Sequence, residues 1–357
     1  MTETMTRPPR RTSHLSDFTA LTARIKSEGL LRRSYGYYWT MLIGLPLVLV
    51  GLGAVSVWLG DSWWQLAVAV GVAVVMAQFG FLGHDAAHRQ IFVSGKWNER
   101  VAMILANLFV GLGIGWWQNK HSRHHAAPNK IGADPDIKTD VLVFTPQGLE
   151  ERTSAVSRWM TGKQGWFFFP LLLLAGLQLH VNSFKHLFAR GKVKNRALEL
   201  TLLVVRHGGL ITFAFLVMPP AIALSFLAVQ LLAFGFYLGM AFAPNHIGRP
   251  IVPAGVKIDF LRRQVLMSRN ISGGAGVSIL LGGLNYQIEH HLFPSMSRTN
   301  LARTAPIVKE YCRKLEVEYH ETSLPRAYVE VGRYINAVGR GGVDLWTCPL
   351  AASMGRG

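Results

Sequence analysis

Acidic residues are scarce in this sequence: Asp and Glu total 20 against 37 Lys and Arg in 357 residues, a formal net charge of +17. Charge of either sign is thin, at 16% against about 25% in soluble globular domains. Cysteine is nearly absent, with only Cys312 and Cys348 near the C-terminus, which excludes a disulfide scaffold. There is no internal repeat and no low-complexity tract. The first 40 residues are polar and basic, so they lack the apolar core of a cleavable signal. What is present is apolar: 50% hydrophobic residues and a mean hydropathy of +0.25. That excludes a disordered chain. A nucleic-acid binder would explain the basicity but not the apolar bulk. A membrane protein explains both if the positive charge lies on one side.

A spanning helix needs roughly 20 mostly apolar residues. Met41 to Gly60 and Trp64 to Gly83 both qualify, and the short turn between them is flanked by Trp58, Trp63 and Trp64. A second hairpin is read from about Glu199 to Ala243, turning at Pro219-Pro220. Neither turn carries a Lys or Arg. The cations gather elsewhere: Arg7, Arg10, Arg11, Arg24, Lys26, Arg32 and Arg33 before the first span, then ten between residues 84 and 165, then Lys185 to Arg196. The positive-inside rule places these on the cytoplasmic side, with both termini. Val101–Trp117 and Trp166–Leu179 have cations at both ends and read as re-entrant or interfacial. The competing reading, that Trp166–Leu179 crosses, would put the last histidines opposite the first. The expected fold is therefore an all-α integral membrane protein. Four transmembrane helices form two hairpins, joined by re-entrant or interfacial helices and a cytoplasmic helical cap. The expected organisation is a basic segment 1–37, a membrane domain 38–335 and a flexible tail 336–357.

Of thirteen histidines, five fall in two tight groups after apolar segments. His84 and His88 are four apart, hence on one helix face. His121 stands three and four residues before His124 and His125, so these three project from one turn. His290-His291 comes late, and His246 closes the fourth span after Asn245. Imidazole suits iron, zinc, copper and nickel. Eight imidazoles exceed what one ion takes, which is about four to six ligands, so two metals follow. His180 and His186, six apart, are left out of the set.

These groups resemble the HxxxH, HxxHH and [HQ]xxHH boxes of the membrane fatty acid desaturases. The likeness extends to His124-His125-Ala126-Ala127-Pro128-Asn129, Asp134-Pro135-Asp136-Ile137, Asn245-His246 and His290-His291-Leu292-Phe293-Pro294, and covers roughly residues 35–335. The resemblance implies two non-haem irons that desaturate a fatty acyl chain, carried as acyl-CoA or acyl lipid, with O₂ and an electron-transfer protein served by an NAD(P)H-dependent reductase. It implies a metal set of His84, His88, His121, His124, His125, His246, His290 and His291. Asn245 and Gln287 are weak or water-mediated candidates, and Asp85, Asp134, Asp136 and Glu289 are candidates to orient the rings. Box three opens on Gln287 rather than His, as in front-end desaturases, which act between an existing double bond and the carboxyl end. The HPGG motif of a fused cytochrome b5 domain is absent, so a separate ferredoxin or cytochrome b5-type donor is expected. The location implied is the cytoplasmic membrane of a bacterium, or its equivalent elsewhere.

Other features stay ambiguous at this level. Trp116-Trp117 fits either an acyl tunnel or an interfacial anchor. Arg206 and His207 inside the third span are functional candidates by depth. Gly111-Leu112-Gly113-Ile114-Gly115 lacks the context of a dinucleotide loop and reads as close packing. Surplus cations near the first two boxes suit an acidic electron carrier, and no nucleic acid. A hydroxylase or ketolase on the same scaffold is the near alternative. A metal transporter is the distant one, disfavoured because its sites lie near the bilayer midplane, often with repeats.

Overall fold

A computed structural model describes residues 14–138 and 141–343. Arg7, Arg10, Arg11, Cys348 and residues 344–357 of the expected tail lie outside the described residues. Four helices are long and apolar enough to cross a membrane, or up to six if each of two bent pairs counts as one span. After α1 (His14–Ser27) come the first two, α2 (Tyr35–Leu59) and α3 (Gln65–Ala87). Gly60, at φ 49°, turns the chain between them. Two buried polar residues close this hairpin: Ser56 Oγ donates to Gln65 Oε1 at 2.8 Å, and Gln65 Nε2 donates to the Ser56 carbonyl at 2.7 Å. Pairing them spares the apolar interior any unsatisfied amide.

The next segment bends. Ser94 caps α4 (Gly95–Met103), which widens into a π-helical segment, Ile104–Val110, before α5 (Ile114–Ala126) leaves at 113°. Wide turns of this kind concentrate at functional sites. Gly111 makes the reversal in the left-handed region at φ 82°, where a Cβ would also meet the His207 ring at 2.8 Å. Packing is thus the role of the glycine cluster. Three short helices follow, α6 (Pro146–Glu150), α7 (Ala155–Gly162) and α8 (Gln164–Leu172), and α9 (Ala175–Phe188) is bent 71° from α8.

The second long pair is α10 (Arg196–Val217) and α11 (Pro220–His246). Gln230 reaches Met76, Tyr237 reaches Gln78, and Leu238 lies over Gly80. Both numbers rise together, so α3 and α11 run parallel. Their C-terminal ends, and hence His84 and His246, meet at one end of the bundle. The helices α12 (Phe260–Leu266), α13 (Ala275–Leu280), α14 (Gln287–Leu292), α15 (Arg298–Lys314) and α16 (Leu324–Gly339) complete the described chain. With α1, several of these bury a separate apolar core of Leu21, Ile25, Leu261, Val265, Ile288 and Leu301. Among the described residues, the departures from an all-α chain are a parallel pair of three-residue strands, Asn270–Ser272 with Glu321–Ser323, in register Asn270↔Glu321, and an isolated bridge between Lys130 and Val252. Helix α16 continues through Gly339, beyond the domain limit expected at 335.

Candidate metal centre

Two long helices, α3 and α11, and two shorter ones, α5 and α14, deliver the histidines. His84 rides the last turn of α3 and His88 ends it, His121, His124 and His125 lie on α5, His246 closes α11, and His290 and His291 sit on α14. They sort into two adjoining groups. His84, His88, His121, His125 and His290 place ligand atoms within 4.8 Å of one another, and so do His124, His246 and His291. The α5 turn is therefore shared: His121 and His125 face one group and His124 the other. The groups touch where the His125 and His291 rings stack at 4.1 Å.

Hydrogen bonds fix which nitrogen faces inward. His124 Nδ1 donates to Asp134 at 3.0 Å, His246 Nδ1 to the Met267 carbonyl at 2.9 Å, and His291 Nδ1 to Gln264 Oε1 at 2.9 Å. In a neutral imidazole the other nitrogen must then be a bare acceptor. Yet His124 Nε2 and His246 Nε2 face each other at 3.2 Å. Two lone pairs repel at that distance unless a cation lies between them. In the first group His88 Nε2 and His121 Nε2 stand 2.8 Å apart, and His125 Nε2 and His290 Nε2 stand 3.2 Å apart. His84 Nε2 and His291 Nε2 are buried with no hydrogen-bond partner among the described residues. Each orphan costs about 1–3 kcal/mol if left unsatisfied. Burial, with the neighbouring rings, holds His290 and His291 well below the ordinary imidazole range. They stay neutral, the form that binds a metal. The residues present fit metal ions.

The supporting residues separate by what they touch. Asp134 accepts from His124 and from the backbone N–H of Asn129 (2.7 Å) and Asp136 (2.9 Å). Its two oxygens are thus engaged with His124 Nδ1 and two backbone N–H groups. Asp136 lies 3.3 Å from His124 Nδ1 and pairs with Lys120. Asp85 lies 3.6 Å from His84 Nδ1 and 2.8 Å from Arg298. Glu289 departs from its expected place on a ring nitrogen: its carboxylate turns away to Asn270 (2.7 Å) and Tyr319 (2.8 Å). Burial outweighs those hydrogen bonds and raises it to about 7. Gln287 Nε2 lies 2.9 Å from His246 Nε2, which places this side chain at the three-histidine group, and its Oε1 is buried without a partner among the described residues. Asn245 is fully buried, bonds the Ala241 carbonyl, and leaves its own Oδ1 unpaired among the described residues.

Gln264 and the Met267 carbonyl were not legible beforehand. Gln264 ties two boxes together, accepting from His291 while donating to the His125 carbonyl at 3.0 Å. Asn129 gave a weak signal by following Pro128; it adopts φ 53° and reaches the carbonyls of His246, Arg249 and Pro250.

Two cavities flank the groups. One, of about 240 Å³, is lined by Gly80, Leu112, Trp116, Trp117, Leu238 and Phe242 and touches His84 and His121. The other, of about 270 Å³, reaches His124, His246 and Gln287 and shares Gly239 and Phe242 with the first. Both tryptophans thus face the site, and Trp117 stacks on His121 at 4.4 Å.

The sequence model of the fatty acid desaturase family matches residues 61–323, a range that holds all eight histidines. This chain belongs to the fatty acid desaturase family. Among curated relatives, an acyl-lipid (9-3)-desaturase of Physcomitrium patens is 30% identical over 331 residues, 91% of this chain and 63% of that protein. A delta(8)-fatty-acid desaturase of Euglena gracilis is 30% identical over 91% of this chain and 79% of its own length. A delta(6)-fatty-acid desaturase of Caenorhabditis elegans is 25% identical over 85% and 71%. The chain spans less than two thirds of the moss protein. Among the described residues, the family's long apolar helices and two histidine groups able to hold metal are both in place.

Proposed function

We propose that this chain is an oxygen-dependent membrane desaturase that inserts a cis double bond into a fatty acyl chain. The observation that carries the reading is the pair of inward-facing imidazole groups beside an apolar cavity. His84, His88, His121, His125 and His290 hold one non-haem iron; His124, His246 and His291, with the Gln287 carbonyl oxygen after a half-turn of its amide, hold the other. When bound, the irons would supply reduction of O₂ to two waters, using two donor electrons, two protons and the two hydrogens taken from adjacent methylenes. The chain's own part is positional. Asp134, Gln264 and the Met267 carbonyl each hold a ring by its outer N–H, which fixes the tautomer and raises ligand basicity. Gly80, Leu238 and Phe242 give the acyl chain a dry wall beside His84. Excluding water protects the site from side reactions.

The two helical hairpins cross the bilayer, both bent pairs dip in and return, and the lobe bearing His290 and His291 is cytoplasmic, as the turns without Lys or Arg and the basic flanks favour. The catalytic unit is taken as 38–335, with 1–37 and 336–357 as flanking segments. A ferredoxin or cytochrome b5-type protein and its reductase bring the electrons. Regiochemistry is of the front-end type, supported by Gln287 and by relatives named for positions 5, 6 and 8. Expression in a host with a simple fatty-acid profile tests this. Gas chromatography–mass spectrometry is expected to show one new double bond, absent with His290→Ala. A new hydroxy acid, or no change in profile with iron-loaded protein, overturns it.

A further inference from the structure

A third cavity, of about 720 Å³, lies between α9, α10 and α11, away from the histidine groups. None of the eight clustered histidines lines it. Its walls are apolar: Leu177, Val181, Phe184, Leu210, Leu227 and Leu231 among others. Several of them, including Leu177, Val181 and Ile211, are exposed on the outer face, so the cavity opens sideways toward lipid. Its size falls within the range of about 300–1,000 Å³ typical of small-ligand sites.

Every ionisable side chain lining it is basic: His180, Lys185, Arg206 and His207. The histidines have their Nδ1 hydrogens committed, His180 to the Gly111 carbonyl at 2.7 Å and His207 to the Leu203 carbonyl at 2.9 Å. Arg206 is the informative group. It is the eleventh of 22 residues in Arg196–Val217, roughly 15 Å along the helix from its start. Its side chain is held by contacts with neighbouring segments. Nε donates to the Phe109 carbonyl at 2.9 Å, which pins the guanidinium against the π-helical segment, and Nη2 lies 2.9 Å from Met76 Sδ. No carboxylate pairs with it among the described residues. A cation at membrane depth is expensive without an anion.

From this geometry we infer that the cavity is a second site, separate from the metal centre, that binds a long-chain carboxylate with its head group on Arg206 and its tail along α9 and α10. A single small anion on one chain suits a charge this deep. A phospholipid would bring a large head group and two chains.

The test uses the full-length protein in lipid nanodiscs of phosphatidylcholine and radiolabelled stearate. Saturable binding is expected that stearyl alcohol and phosphatidylglycerol do not displace. Arg206→Gln should weaken it at least about tenfold, the usual worth of a charge-assisted contact, while Arg206→Lys keeps most of it. Val181→Trp, which fills the cavity and leaves the charge, should weaken it similarly. His124→Ala should leave it unchanged, and metal content should be the same in the Arg206 variants as in the parent. Displacement by stearyl alcohol or phosphatidylglycerol overturns the site, as does unaltered stearate binding in Arg206→Gln or Val181→Trp. Because the readout is ligand binding, it is independent of whether the metal centre desaturates.

Discussion

His124 is held from both sides: Asp134 takes its Nδ1 hydrogen at 3.0 Å, and its Nε2 looks onto His246 Nε2 at 3.2 Å. The carboxylate decides which nitrogen is free for a metal. Replacing it with the isosteric amide keeps the shape and removes the charge that makes the ring basic. Asp134→Asn should therefore lower metal affinity or turnover about 10–100-fold, measured as metal per chain and product formed at matched expression.

Gln287 faces His246 at 2.9 Å, so its role is separable from the five-histidine group. Gln287→Ala should reduce metal at the three-histidine group and cut turnover at least about tenfold. Gln287→His, which restores a donor, should recover part of both. Equal metal content in all three proteins would remove Gln287 from the ligand set.

Much of this arrangement could be read in the chain, and the unread parts share a cause. The long apolar helices were legible because a membrane demands continuous apolar length, and their ends fall within about six residues of the expected runs. The histidine spacing announced groups able to hold metal. It did not announce that His121 and His125 part from His124, because the division depends on where α11 and α14 arrive. Gln264 and Met267 contribute from a loop and a short helix more than a hundred residues beyond the second box, with no local pattern to mark them. Glu289 was misplaced for a related reason. Its neighbour His290 faces the site, and on a helix adjacent side chains point about 100° apart.

Arg298 and Asp85 form a buried ion pair at 2.8 Å that joins α15 to the helix bearing His84. Among the described residues no other Lys or Arg pairs with Asp85, so removing Arg298 leaves a buried carboxylate without its ion-pair partner. Arg298→Gln should destabilise the protein by about 3–5 kcal/mol. Asp85→Asn combined with it should cost less than the sum of the two single changes. Chemical denaturation in detergent, run as a double-mutant cycle, gives the comparison.

Gly80 lines the cavity beside His84, and a Cβ there would meet only Leu238, at 3.9 Å. There is room for the first carbon but a larger side chain would enter the cavity. Gly80→Leu should lower turnover on the longest acyl substrate by about 10–200-fold relative to a shorter one, the discrimination that a methylene or two commands. Metal content should not change. Product chain-length profiles from cells expressing each protein read this out.

The most direct measurement is the metal content of purified protein, by elemental analysis with Mössbauer spectroscopy, in the parent and in one variant from each histidine group. About two irons per chain are expected in the parent, with spectral loss in His88→Ala and in His246→Ala and no new double bond formed by either. One iron, or zinc in its place, or a parent spectrum retained by both variants together with full desaturation, would contradict the two-group iron centre.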